Sequence, residues 1–198
     1  SGVDAYGNAA DVGTITWSGG VGIGTINSST GLFSATTVGT GTVTATSSID
    51  GISDASGTIT VGPGILATLT VSPDTATLEA GTTQQFTVTG ADAYGNAADT
   101  GAITWSVSGG IGTIDPSTGV LTATMAGTGT VTATSSIGGI SDASGTITVT
   151  PGTLAVLTVS PNTTTLEAGT TQQFTVTGAD AYGNAADVGT ITWSGGVG

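Results

Sequence analysis

Residues 102–134 read AITWSVSGGIGTIDPSTGVLTATMAGTGTVTAT, and the alternation in that stretch decides the fold. Ile103, Trp105 and Val107 fall on one side of an extended chain and Thr104 and Ser106 on the other, because side chains of a strand alternate between faces. The run Asp115-Pro-Ser-Thr-Gly119 is built from turn residues and separates pieces expected at Gly112–Ile114 and Val120–Met125. TGTVTAT, Thr128–Thr134, follows with β-branched residues at every second position.

Outward from this stretch the same pattern continues. Strands are expected at Leu66–Ser72, with Leu69 and Val71 on one face, at Ala76–Glu79 and at Gln85–Thr89, with Phe86 and Val88 inward. Ala102–Val107 carries the tryptophan, and Gly145–Thr150 closes the set. Short alternating strands with a turn signal every 8–12 residues predict an all-β sandwich, and no stretch has a helical period of useful length. The expected core gathers Trp105, Phe86, Val88 and Ile103, with Trp17 as its counterpart in a second copy.

That second copy exists because the chain repeats itself. Asp-Ala-Tyr-Gly-Asn-Ala-Ala-Asp begins at Asp4, Asp92 and Asp180, a step of 88 residues, and Trp17, Trp105 and Trp193 keep the same step. A period of this length is a small domain, not a solenoid turn. Residues 4–22 and 180–198 are identical, whereas 92–110 differs from both at Thr100, Ala102, Val107, Ser108 and Gly109, so copies alternate in two types. The expected division is a partial domain at 1–62 lacking its first two strands, a complete one at 64–151, and first strands only at 152–198. Tandem domains laid end to end set length and spacing, which points to a structural role.

Charge narrows the partners. Thirteen carboxylates face no lysine, arginine or histidine. Phosphate backbones and anionic lipid head groups are bound through cations, so nucleic acid and charge-driven membrane adhesion are excluded as partners. No stretch is apolar for long enough to cross a bilayer as a helix, and a secretion signal would lie outside these residues. Lysine-based isopeptide bonds cannot form, nor can disulfides, since there is no cysteine. Trypsin has no side chain to cut after, which suits life outside the cell.

The residue order resembles a known family. Leu69-Thr-Val-Ser-Pro73, Leu78-Glu-Ala-Gly81, Gln84-Gln-Phe-Thr-Val88, Ile103-Thr-Trp105-Ser, Ile114-Asp-Pro-Ser-Thr-Gly119, Gly127-Thr-Gly-Thr-Val-Thr-Ala-Thr134 and Gly145-Thr-Ile-Thr-Val149 are similar to the bacterial immunoglobulin-like group 2 domain. The resemblance covers the whole copy. It implies tandem display on a cell surface, as in adhesins, archaeal surface proteins and some phage virion proteins, and it implies no particular ligand.

Candidate sites are few. Asp92, Asn96 and Asp99, with copies Asp4, Asn8, Asp11 and Asp180, Asn184, Asp187, cluster the oxygen ligands that calcium takes. The same residues also build a tight turn between strands, and their spacing is not that of a known calcium loop. Asn27-Ser-Ser29 and Asn162-Thr-Thr164 match the N-glycosylation acceptor. Glycine runs such as Gly20-Val-Gly22-Ile-Gly24 carry no lysine and precede no helix, so they are not phosphate loops. Catalysis near neutral pH lacks its usual bases and nucleophiles, and Glu79 and Glu167, the only glutamates, repeat one position, so no enzyme and no cofactor are expected. The reading is a structural protein of an extracellular filament, stalk or surface fibre, partnered by itself head to tail and open to domain complementation. An adhesin repeat that binds glycans or a host surface through Tyr94 is the alternative, and phage virion decoration a third.

Overall fold

The computed structural model describes residues 2–195; Ser1 and 196–198 lie outside the described residues. Among the described residues every regular element is a strand. The first copy carries β1 (Gly2–Val3), β2 (Ala9–Ala10), β3 (Ile15–Gly19), β4 (Gly24–Ile26), β5 (Phe33–Ala35), β6 (Gly39–Gly41), β7 (Val43–Ser47), β8 (Ser53–Ala55) and β9 (Ile59–Val61). The complete copy carries β10 (Leu66–Ser72), β11 (Ala76–Glu79), β12 (Thr83–Gln85), β13 (Thr87–Asp92), β14 (Ile103–Val107) and β15 (Gly112–Ile114). It continues through β16 (Val120–Ala123), β17 (Gly127–Gly129), β18 (Val131–Ser135), β19 (Ser141–Ala143) and β20 (Ile147–Thr150). The third copy supplies β21 (Leu154–Ser160) and β22 (Thr175–Asp180).

The chain forms two compact units, Ser1–Thr68 with Gly90–Asp99, and Leu69–Thr89 with Thr100–Gly198. In the second, β14 pairs antiparallel with β18 and β18 with β19; β11 runs parallel to β20, which pairs antiparallel with β17; and β16 lies between β12 and β15. Inward side chains of these ladders form one cluster, in which Leu78, Phe86, Trp105, Ile111, Leu121, Val131, Ile147 and Val149 are buried. Val88 and Ile103 are partly buried and pack against it. The fold is the immunoglobulin-like β-sandwich.

Five strands differ from the sequence expectation: Ala102–Val107 starts only at Ile103, Gly145–Thr150 only at Ile147, and three others change more. The piece expected over Gln85–Thr89 breaks at Phe86: β12 ends at Gln85 and β13 starts at Thr87. The Phe86 N–H donates to Gly119 O at 3.0 Å, and the ring drops into the core as the chain leaves the β16 ladder. Likewise Thr128–Thr134 is two strands, because β17 pairs with β20 and β18 with β14, so the chain changes sheets at Thr130. Val120–Met125 stops at Ala123, since the amides of Thr124 and Met125 both turn to Ile111 O. Strand β19, Ser-Asp-Ala, has no apolar alternation and left no signal in the sequence.

The Asp115–Gly119 turn shows how sequence sets local shape. Asp115 Oδ1 accepts from the N–H groups of Ser117 at 2.9 Å and Thr118 at 2.8 Å, closing an Asx turn. Those amides, Thr118 first and Ser117 second, hold the Asp115 carboxyl below its ordinary range. Gly119 follows at φ +73°, and a Cβ there would sit 2.6 Å from the Trp105 indole, so only glycine lets the ring reach its place.

In the first unit the same ladders recur with fewer partners: β3–β7–β8, β4–β5 and β6–β9. Among the described residues β9 has no parallel neighbour equivalent to β11, and β5 none equivalent to β12. Trp17 is accordingly half-buried. In the third copy β21 and β22 pair with each other, and their inner face is open. Identical residues therefore differ in burial: Leu69 is 7% exposed and Leu157 52%, Trp105 6% and Trp193 55%.

That contrast predicts unequal costs. In the 198-residue chain, Trp105→Ala is expected to cost about 3–5 kcal/mol and Trp193→Ala under ~1 kcal/mol. Urea unfolding followed by circular dichroism measures both, and equal costs would contradict the burial pattern.

Candidate functional site

The DAYGN turn is built around one carboxylate. In each copy the aspartate amide bonds the asparagine carbonyl, and the glycine amide bonds back to the aspartate carbonyl: Asp92 N–H to Asn96 O at 2.9 Å and Gly95 N–H to Asp92 O at 3.0 Å. Asp92 Oδ1 accepts the N–H groups of Tyr94 and Asn96, both at 2.9 Å. Gly95 takes φ +84°, the left-handed geometry that the tight reversal needs.

The second carboxylate oxygen reaches outside the turn. Asp92 Oδ2 accepts Gly64 N–H at 2.7 Å and Asn96 Nδ2 at 2.9 Å. The third copy repeats this with Gly152 N–H at 2.7 Å and Asn184 Nδ2 at 2.7 Å on Asp180 Oδ2. Both aspartates are buried. A buried carboxylate without a cation is tolerated only when amide donors surround it.

Those donors show in its titration. For Asp92 the Asn96 side chain is the strongest influence, followed by Gly64 N–H, and the pKa falls to about 2. At Asp180 burial is the largest single effect and pushes the pKa upward. The Asn184 side chain and the amides of Gly152, Asn184 and Tyr182 together outweigh it, again to about 2. Asp4 is lowered as well, first by the Asn8 side chain.

Of the residues proposed from sequence as calcium ligands, Asp92 and Asn96 are brought together, as are Asp180 with Asn184 and Asp4 with Asn8. The N–H groups of Asn96 face the carboxylate, the opposite polarity to an oxygen ligand. Asp99 is exposed in the segment that follows the turn, while Asp11 and Asp187 each cap a glycine amide two residues on, at 2.9 Å. No group of three His, Cys, Asp or Glu side chains suited to a metal ion occurs among the described residues. Asn27 and Asn162 are both exposed; Asn27 Oδ1 accepts from Ser29 and Thr30 N–H, taking in its copy the place of Asp115.

Sequence reasoning missed the amide's other partners. Asn96 Nδ2 also donates to Thr36 O at 2.9 Å, and Asn96 Oδ1 accepts Val38 N–H at 3.0 Å. The counterpart Asn184 donates to Thr124 O and accepts from Ala126 N–H, each at 2.8 Å. A cavity of about 110 Å³ beside the first of these contacts is lined by Ala35, Thr36, Val61, Gly64, Asp92 and Tyr94.

These turns sit in an immunoglobulin-like sandwich and are centred on carboxylates held by amide donors. Residues 66–147 match the bacterial Ig-like domain (group 2). No curated protein matches the chain. Among solved structures, the surface-layer protein SbsC, domains 1–6, is 22% identical over 93% of this chain and 26% of that one, with a TM-score of 0.35. The Escherichia coli adhesin FdeC is 22% identical over 91% and 67%, with a TM-score of 0.47. A C-terminal fragment of intimin is 20% identical over 75% and 54%, with a TM-score of 0.30. The chain thus spans about a quarter of the surface-layer structure it matches.

A pH prediction follows from the turn. The folded pKa values of Asp92 and Asp180 lie below the unfolded 3.8, so their contribution is full above that value and is lost as pH falls through about 2. NMR titration of the carboxyl carbons should give midpoints near 2, and Asp92→Asn should lessen the loss of thermal stability in acid. Midpoints at 3.8 would contradict the geometry.

Proposed function

We propose that the chain is part of an extracellular filament, stalk or surface fibre in which repeated Ig-like domains have one another as partners, without catalysis and without a cofactor. One observation carries this reading: the same linker-to-turn contact, Gly64 to Asp92 and Gly152 to Asp180, recurs at the 88-residue step in a chain with no cation or thiol to do other chemistry. Arrays of this kind act through spacing and surface. The charge supports an exterior location, since a polyanion without basic residues stays soluble and avoids nucleic acid.

The first and last copies are open sandwiches, which either a flanking copy of a continuous polypeptide or a strand from a second chain would complete. In the complete copy Val71 N–H donates to Asp142 Oδ2 at 2.8 Å, pinning β10 beside β19. Asp54 is the counterpart of Asp142 in the first copy and borders an open cavity of about 280 Å³ with Val12, Ile15, Trp17 and Ile52. β21, Leu-Ala-Val-Leu-Thr-Val-Ser, has the sequence to fill that place from a second chain, with Val159 N–H on Asp54. In a continuous polypeptide a flanking copy supplies the equivalent strand. An unpaired edge over an open core recruits a strand in either case.

The adhesin reading rests on exposed tyrosines, Tyr94 among them. Electron micrographs of the native material test the proposal: a uniform filament with about 35–45 Å per domain is expected, from strand length plus linker. Amorphous material together with hits on a glycan array would favour the adhesin. A boiled subunit near the 18.7 kDa of this chain supports complementation, and a far larger one a continuous array. Calcium chelation is expected to leave the melting temperature unchanged.

A further inference from the structure

The DAYGN turn recurs in three settings within one chain. In the first copy Asp4 and Asn8 are exposed, yet every internal bond of the turn is present: Tyr6 N–H and Asn8 N–H on Asp4 Oδ1 at 2.9 Å, and Asn8 Nδ2 on Asp4 Oδ2 at 3.0 Å. The turn is therefore formed without a neighbour. In the second and third copies the same object is inserted against the loop of the copy before it, Thr36–Val38 or Thr124–Ala126, and its aspartate becomes buried.

The receiving loop is held by bonds within its own copy. Thr36 and Thr37 both give their amides to Ile23 O, and Thr124 and Met125 give theirs to Ile111 O. Ile23 and Ile111 are buried. This fold-back leaves a carbonyl and, two residues on, an amide to be matched by one carboxamide. A carboxamide carries its donor and its acceptor on two separate atoms, so one head group can meet the carbonyl and the amide together. Asn96 uses its second N–H for Asp92, so the amide is satisfied on three sides.

We infer that Asp-x-x-Gly-Asn is a plug and the Thr36–Val38 type of loop its socket, a repeat-to-repeat recognition site whose partner is another copy of this domain. The socket contributes backbone groups only. Thr-Thr-Val at 36–38 and Thr-Met-Ala at 124–126 therefore accept the same plug, and the two types of copy are interchangeable neighbours. The tyrosine of the plug reports engagement. Tyr6 is 91% exposed, Tyr94 67%, and Tyr182 46%, where the ring also lies 3.1 Å from the position a Cβ would take on Gly81. Gly81 sits at φ +97°, so both its conformation and the ring above it call for glycine.

The site goes beyond the surface-fibre proposal and stands apart from it, since the contacts lie within one chain. Four substitutions in the full 198-residue chain test it by amide hydrogen exchange. Asn96→Asp places an acceptor against Thr36 O and the Asp92 carboxylate, and should speed exchange at Val38 N–H about tenfold or more while Ala126 is unchanged. Asn184→Asp should do the reverse. Asn8→Asp, which breaks a free plug, should leave both amides protected. Asn96→Ser, compatible with the turn but too short to span Thr36 and Asp92, should reproduce the Val38 effect with the circular dichroism spectrum retained. Unchanged protection in Asn96→Ser, equal loss at both amides in either aspartate variant, or an effect of Asn8→Asp as large as that of Asn96→Asp would overturn the site.

Discussion

Every charge on this molecule's side chains has the same sign, and the structure depends on how carboxylates are satisfied under that constraint. A folded domain ordinarily neutralises its inner acids with arginine or lysine. Here the only donors are N–H and O–H groups, and the aspartates are placed where backbone amides converge. Asp74 takes Gly145 N–H, Asp115 takes two turn amides, Asp142 takes Val71 N–H, and Asp92 takes amides from its own turn and from the linker. Among the described residues no buried side-chain nitrogen or oxygen lacks a partner. Aspartate acts as a backbone clamp, and asparagine does what a cation does elsewhere.

This chemistry also explains why aspartate greatly outnumbers glutamate. A short carboxylate reaches amides two to four residues away without losing much side-chain entropy, which favours turns and capping. The long-range clamps, Asp74 to Gly145 and Asp142 to Val71, use the same short arm because the sandwich brings the two backbones to contact distance. With strand faces made of threonine, the complete domain buries a core of aliphatics around one Trp and one Phe. Carboxylate-to-amide bonds join pieces distant in sequence that so small a core holds with little to spare.

Much of the fold was legible from alternation and turns. Trp105 lies where the run Ile103-Thr-Trp-Ser-Val puts it, and Asp115-Pro-Ser-Thr-Gly forms the turn its residues imply. The sheet switches at Phe86 and Thr130 were not legible, because a strand that changes partners keeps its alternation and loses only one or two ladder bonds. At the candidate site the turn itself could be read, but its oxygen atoms suggested a cation as readily as an amide. The deciding groups were Gly64 N–H, Thr36 O and Val38 N–H, and backbone atoms 28 to 60 residues away leave no mark on a sequence.

The repetition turns the chain into its own control. Leu69 and Leu157 share a local sequence and a strand conformation, yet one is buried and the other half open. Local sequence thus makes the strand, and the rest of the copy makes the core. The DAYGN turn separates the same two levels differently, being fully formed at Asp4–Asn8 without burial and at Asp180–Asn184 with it. A hydrophobic face must await its partner to become ordered, whereas a hydrogen-bonded turn is shaped in advance and loses little entropy on docking. Joining copies through such turns, and reserving apolar surface for the interior of each copy, lets a chain of like charge grow by repetition without an exposed sticky patch at every joint.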